Sequence, residues 1–409
     1  MSELWIIEPR DPLIVRDGRP FGPNPGARAK TLPFPFPSTI AGGVRTRAGM
    51  DENGRFDTDK IDKVKQMKVK GPLLIDCDSK DETPFLVPAP RDMLMFQSAG
   101  EEAKKSIVNL VPLVPVKQED LQCNLPEPLE YTVGLELIDL QKPAKGVPAF
   151  WHWAKFADWL SNFAPKPTLV EKTEQGISSL PQNSRTHVAI NPESLAAREG
   201  DLFATSALEF MNSAKLPDDD KPSALSNAKQ MGLALEVDNA NELSIDQGFA
   251  SLGGERRLVQ WRLSPLSFPD WPEGLLESVE KDGACRLFLL TPAFFTHGWQ
   301  PTRLLEKRYG VKPLLKAAAV GKPETVSGWD FENRQPKPTR RLVPAGSVYF
   351  VQFELEANAN LQAWLKAVWM DCWSDDEMLR DAGFGLTAVG RWDGQPRTVE
   401  VKEDVDAKT

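Results

Sequence analysis

The sequence predicts an α+β protein built as two units in tandem. At 409 residues the chain exceeds the roughly 250 to 300 residues over which a single hydrophobic core keeps growing. Its 35 prolines are spread along the whole length, which suits short strands joined by ordered loops and argues against a helical bundle. Two segments also share one pattern, a Gly-rich loop feeding a short strand that ends in tryptophan: GGERRLVQW at 253–261 and GFGLTAVGRW at 383–392. The Pro- and Gly-rich stretch LSPLSFPDWPEG, 263–274, reads as the linker, giving units of 1–265 and 266–409.

Composition narrows the function classes. Apolar residues make up 41% and charged residues 26%, ordinary values for a globular chain. No run of 18 apolar residues occurs, and the N-terminal apolar patch Leu4–Ile7 is too short for a signal-peptide core, so a cytoplasmic protein is expected. The cysteines (77, 123, 285 and 372) lie far apart with no CxxC spacing, and the histidines (152, 187 and 297) are dispersed. Neither a disulfide framework nor a zinc site is indicated, and no cofactor is implied. A net charge of −9 argues against a protein that coats nucleic acid nonspecifically, because such affinity comes from displacing phosphate counterions with Lys and Arg.

Taken in order, residues 4–15 read as a strand interrupted by Pro9 and Pro12, an edge or bulge signature. A Gly/Pro loop, 17–37, delivers the chain to a helix with Ser38 as N-cap and Ile40, Val44 and Ala48 on one face. Gly42 and Gly43 are costly inside a helix, about 1 kcal/mol each relative to Ala, and imply a close approach to the backbone. Residues 71–76 and 84–90 are extended, 97–145 has no strong period, and 150–163 (FWHWAKFADWLSNF) reads as a docked amphipathic helix. The runs 184–190 and 201–210 look like a long hairpin, followed by strands at 232–238 and 251–261. In the second unit, strands at 285–295 and 346–355, a helical stripe from Leu361 to Cys372 and a closing strand at 382–392 complete the pattern.

Glu8 to Gly49 is the stretch that stands apart. Seven Lys/Arg against three acids give it +4, leaving −13 for the rest of the chain. Arg16, Arg19, Arg28 and Lys30 in the loop, with Arg45 and Arg47 pointing away from the apolar face of the helix, could grip phosphates. Free N–H groups at the helix start near Ser38 would receive an anion, and Phe21, Phe34 and Phe36 could stack bases. The bland alternative pairs these arginines with Glu8, Asp11 and Asp17 and places the phenylalanines in the core. Gly253 and Gly254 with Arg256 and Arg257 form a second possible phosphate cradle, since adjacent glycines can present a nest of N–H groups; a plain turn into a charged strand is the competing reading.

These motifs together carry a resemblance. IEPRDPLIVRDGRPFG, PSTIAGGVRTRAG, VPAPRD, SRTHVAI, LGGERR, LLTPAFFTHGWQP, VPAGSVYF and AGFG, in that order from residue 6 to about 385, resemble the third subunit of the Cmr complex, a repeat-associated mysterious protein (RAMP) of type III-B CRISPR effectors. The resemblance implies tandem ferredoxin-like (RRM-like) domains with loop and helical insertions. It further implies a non-catalytic antiviral-defence scaffold that holds the 5′ tag of the CRISPR RNA and docks on the large polymerase/cyclase-like subunit and the backbone RAMP subunits.

His187, flanked by Arg185 and Thr186, is the histidine best placed for a role, as an RNA contact or, in the alternative function, as the acid or base of a metal-independent endoribonuclease processing CRISPR RNA. Trp364, Trp369 and Trp373 could form a docking face or simply core. Asp375, Asp376 and Glu377 read as a solvated helix end.

Overall fold

The computed structural model describes residues 2–16, 28–97, 106–117, 124–138, 142–163, 166–213, 228–238, 243–330 and 335–401. Strand outweighs helix, and the pairing is mostly antiparallel. The opening strand, Ser2–Pro9, lies inside a nine-stranded sheet. Its order is Gly176–Ile177, Phe150–His152, Phe85–Pro88, Lys68–Asp76, Ala228–Asp238, Ser2–Pro9, Arg257–Ser264 and Gly248–Leu252, with Met211–Ser213 added on Ala228–Asp238. Ile6 faces Ala234 on one neighbour and Arg262 on the other.

This sheet is covered on both sides, which is why its strands read as unbroken apolar runs instead of alternating. Leu4 and Ile6 pack with Trp151, Phe156, Leu287 and Val389, whereas Trp5 and Ile7 pack with Ile40, Val44, Trp261 and Phe384. The first of these faces meets the helix Trp153–Ser161 and the second sheet; the other meets the helix Pro37–Ala48.

A second, five-stranded antiparallel sheet runs Val311–Ala319, Val348–Leu355, Ala284–Leu289, Leu386–Arg391 and Asp371–Cys372. The helix Leu361–Val368 buries Trp364, Leu365 and Val368, and Asn360 caps it by accepting from the Ala363 N–H at 2.9 Å. If the long strands of each sheet are counted by chain order, both sheets have the spatial order second, third, first, fourth. In both, the fourth strand follows one of the two Gly-rich loops and is followed by a buried tryptophan or contains one, Trp261 in the first and Trp392 in the second.

A fully buried ion pair ties the five-stranded sheet to the turn that follows the strand Phe85–Pro88. Arg286 Nη1 donates to Asp92 Oδ2 at 2.7 Å, with both side chains 1% exposed. Trp159 Nε1 donates to the other Asp92 oxygen, while the remaining Arg286 nitrogens donate to the carbonyls of Arg391 and Trp159.

Several expectations change. The opening strand stops at Pro9, and Leu13, Ile14 and Arg16 form isolated bridges instead of continuing it. Phe150–His152 joins the sheet, so the aromatic helix begins only at Trp153. The strand expected at 251–261 is a hairpin, Gly248–Leu252 with Arg257–Ser264. Strands Ile107–Pro112 and Val114–Lys117 occupy part of the stretch that has no clear period, and the helix Leu275–Asp282 and the strand Val311–Ala319 add elements beyond those expected after residue 265. The linker stretch is anchored: Phe268 is buried edge-on to Phe85, with ring centres 6.0 Å apart. Trp364 and Trp373 are core, and Trp369 stacks on Trp271 at 4.3 Å.

Candidate nucleic-acid interface

Beyond the opening strand, Leu13, Ile14 and Val15 are buried, and their backbone becomes the hub of three distant segments. Leu13 and Leu208 exchange N–H···O bonds of 2.8 and 2.7 Å, which fixes the base of the long hairpin Gln182–Ile190 with Ala197–Leu208. Gly254 N–H donates to the Ile14 carbonyl at 2.8 Å, which fixes the Gly253–Arg256 turn. Leu32 N–H donates to Val15 O at 2.8 Å, Arg16 bridges to Thr31, and Thr31 N–H donates to Ser206 Oγ at 2.9 Å. Arg28–Ala29 then runs parallel to Ala204–Thr205. The opening stretch, SRTHVAI and GGERR therefore meet at one place.

At that place the turn is strained. Gly253, Glu255 and Arg256 have φ values of +74°, +57° and +50°, and the two non-glycine residues hold a conformation that L side chains seldom adopt. A Cβ on Gly253 would lie 2.8 Å from Ile14 O. The adjacent glycines thus serve a close backbone approach, and the Gly254 N–H is already spent on Ile14, so the nest reading of Gly253 and Gly254 is corrected to a packed turn.

The cations around this hub differ in how they are held. Arg16 sits 3.8 Å from Glu255, which also accepts from Arg257 at 2.7 Å. Lys30, Arg185 and Arg256 are exposed and, among the described residues, make no ion pair. His187 stacks on Phe203 with centroids 5.2 Å apart, and its Nε2 lies 3.0 Å from Thr205 Oγ1. Arg185 and His187 share one face of the hairpin, opposite Thr205 and Phe203. No cluster of metal-ligating side chains occurs among the described residues. Arg19 and Phe21 lie outside the described residues, and of Arg28 only the backbone is described.

The helix Pro37–Ala48 departs from the expected gripping role. It begins with Pro37 at its first position and Phe36 as N-cap, with no side-chain cap, so Ser38 is an exposed first-turn residue and not the cap. Arg45 turns inward: its Nη2 donates to the carbonyls of Met67 and Asp381 at 3.0 and 3.1 Å. Arg47 Nε and Nη2 donate to the carbonyls of Asp246 and Gln247 at 2.6 and 3.0 Å, and its guanidinium lies 5.8 Å from the Trp261 ring centre. Burial holds both guanidiniums below their ordinary range, with Asp381 and Asp246 opposing the effect. These arginines are structural staples because their donors satisfy main-chain carbonyls.

Of the aromatic candidates, Phe36 is buried against Phe384 at 6.3 Å and is not offered to a base, while Phe34 packs on Phe150 at 5.1 Å and is half-buried. The close approach that the glycine pair implied is found at Gly43, where Leu252 and Trp261 press on the helix; Gly42 is open. Leu32–Pro37 also lines a cleft of about 670 Å³ shared with Pro88, Phe150, Pro292 and Glu324. Burial raises the Glu324 carboxyl, with Arg91 opposing.

Comparison with known proteins settles the family. The model of the CRISPR-associated Cmr3 proteins matches residues 5–392, nearly the whole chain. This chain belongs to the Cmr3 family. A search of curated proteins finds no match. Among solved structures, this Cmr3-family chain is similar to chains of two cryo-EM structures of Type III-B Cmr-beta bound to cognate target RNA, one of them also with AMPPnP. Each match has 15% identity and a TM-score of 0.44, covering 85% of this chain and 86% of the other. A chain of the Csm3–Csm4 subcomplex of the type III-A CRISPR–Cas interference complex is 11% identical with a TM-score of 0.31, covering 86% and 93%.

Sequence reasoning found the three segments but not what joins them. Thr31 and Ser206, which latch the loop to the hairpin, and Thr205, which meets His187 across it, carry no motif; only Thr31 adjoins a residue singled out in the sequence, Lys30.

Proposed function

We propose that this Cmr3-family protein is a non-catalytic, RNA-binding scaffold subunit of a type III-B CRISPR effector, and that it holds the 5′ tag of the CRISPR RNA at the hub around Leu13–Arg16. The carrying observation is the convergence of Lys30, Arg185 and Arg256, exposed, on one strained turn and one hairpin base of a chain whose net charge is −9. Phosphate contacts supply the affinity, and splayed bases met by His187 and neighbouring hydroxyls supply what sequence preference the tag has. The acidic remainder confines RNA to this surface, so the isolated chain binds it weakly and salt-sensitively.

The reading extends to architecture and partners. The shared strand order of the two sheets supports tandem ferredoxin-like units, 1–265 and 266–409, and antiparallel order with a helix beside the sheet is what an RRM-like unit requires. The large polymerase/cyclase-like subunit and the backbone RAMP subunits are the proposed protein partners, in the cytoplasm. No helix among the described residues is long and apolar enough to cross a membrane.

The test is incubation of the purified chain with repeat RNA in EDTA. The scaffold reading expects the RNA to remain uncut. Site-specific cutting that is lost in His187→Ala would replace it with the endoribonuclease reading.

A further inference from the structure

The second unit carries a basic cluster that the opening stretch does not include. Arg303 lies on the 3-10 turn Thr302–Leu305 and Arg308 just beyond it; their guanidinium carbons sit 5.7 and 4.7 Å from the centre of the Trp373 ring. Arg380 ends the short helix Glu377–Arg380, and its Nη1 is fixed by the carbonyls of Ser374 and Asp375, both at 2.8 Å. Burial holds the Arg303 guanidinium below its ordinary range, and the positive charges of Arg380 and Arg308 push the same way, with Glu306 and Asp371 opposing. Three guanidiniums are therefore kept together against their mutual repulsion.

The neighbouring carboxylates are directed mostly away from the three guanidinium forks. Asp375 accepts from the backbone N–H groups of Thr296 and Arg303 at 2.7 and 3.1 Å. Asp376 caps the short helix at Leu379 N–H and sits 3.7 Å from Arg340. Among the described residues, the one ion pair made by the three arginines is Arg308 with Glu306 at 2.8 Å, the Glu306 side chain being 55% exposed, while Asp371 pairs with Lys70 at 3.1 Å. Trp373 beneath is 3% exposed, and its indole N–H has no partner among the described residues. Planar forks gathered over an aromatic plate, with Asp375 and Asp376 oriented toward main-chain N–H groups and not toward the forks, suit a tetrahedral oxyanion.

We propose that Arg303, Arg308 and Arg380 form a phosphate-binding subsite over Trp373, separate from the hub at Leu13–Arg16. The helix Pro37–Ala48 lies between them. Gly43 faces Leu252, next to the Gly253–Arg256 turn, while Arg45 reaches Asp381, next to Arg380, and two residues turn a helix by about 200°. A strand held at the hub would have to cross this helix to reach the subsite. The phosphate is either a diester of such a strand or the terminal group of a free nucleotide, since both present the same oxyanion.

The test uses the purified full-length chain and follows the Trp373 indole ¹H–¹⁵N signal, assigned through Trp373→Phe. Inorganic phosphate is expected to shift that signal. In Arg303→Gln, and separately in Arg380→Gln, the apparent affinity should fall roughly tenfold or more, the scale of one lost charge-assisted hydrogen bond. The pair Lys30→Gln/Arg256→Gln, which probes the hub, should leave the phosphate response unchanged, so the two sites succeed or fail separately. A single-stranded oligoribonucleotide producing the shift where ATP does not identifies the diester; ATP producing it where the oligonucleotide does not identifies the nucleotide. No shift with any of the three probes, or a shift that persists unweakened in both arginine variants with unchanged circular dichroism, overturns the proposal.

Discussion

Lys30, Arg185 and Arg256 are exposed on three different segments of the hub, which makes their joint replacement by glutamine an informative perturbation. Each phosphate neutralised on a single strand adds about 0.7 to the log–log salt slope, so losing all three contacts should flatten the slope by about 2. Between 50 and 200 mM salt, a fourfold change, that corresponds to roughly a twentyfold smaller loss of affinity than the unmodified chain suffers. Stability should barely move, within about 0.5 kcal/mol, because the side chains are exposed and, among the described residues, make no ion pair. Fluorescence anisotropy of a labelled tag oligoribonucleotide across a salt series reads the slope, and urea unfolding reads the stability. An unchanged slope with an intact fold would refute the placement of RNA at this hub.

The remaining predictions probe the scaffold. Arg45→Met should cost about 1.5–3 kcal/mol in urea unfolding by stripping a charged donor from the Met67 and Asp381 carbonyls, while the RNA salt slope stays as it was. Arg286→Met leaves Asp92 buried and unpaired and should cost about 3–5 kcal/mol; Asp92→Asn in the same chain should recover part of that loss. Gly253→Ala should destabilise by about 1–3 kcal/mol, since its Cβ meets Ile14 O at a left-handed φ, and it should also weaken tag binding by moving Arg256. Burial pushes the Cys77 thiol up to about 12 and those of Cys285 and Cys372 up as well. The thiolate is the reactive form, so at pH 8 these three should resist iodoacetamide until the chain is unfolded, as mass spectrometry of alkylated peptides would show.

How far the sequence could be read depended on whether the controlling contacts were local. Unbroken apolar runs such as LWII and PLLI marked strands because both faces of the sheet are covered, and the two Gly-loop segments lead into the equivalent last strand of each sheet. Helix positions 40, 44 and 48 are buried as their spacing implied. Charge, by contrast, did not reveal its partner. Arg45 and Arg256 look equally available in the sequence, yet one is drawn to a carbonyl 336 residues away and the other is left in solvent on a strained turn. The same blindness hid the Asp92–Arg286 pair, whose members are 194 residues apart, and the gathering of Arg303, Arg308 and Arg380 around Trp373. Asp375 reads as solvated because its bond from the distant Thr296 N–H leaves no trace in the local pattern, whereas Asp376 is a local N-cap, accepting from Leu379 N–H three residues on.

The most direct measurement is photocrosslinking within the reconstituted effector, using CRISPR RNA that carries 4-thiouridine in its 5′ tag, with the crosslinked peptides of this subunit mapped by mass spectrometry. The account predicts adducts in the peptides around Lys30–Thr31, Arg185–His187 and Gly253–Arg257, the three segments joined at Leu13–Arg16. Crosslinks on this subunit that avoid all three would contradict it.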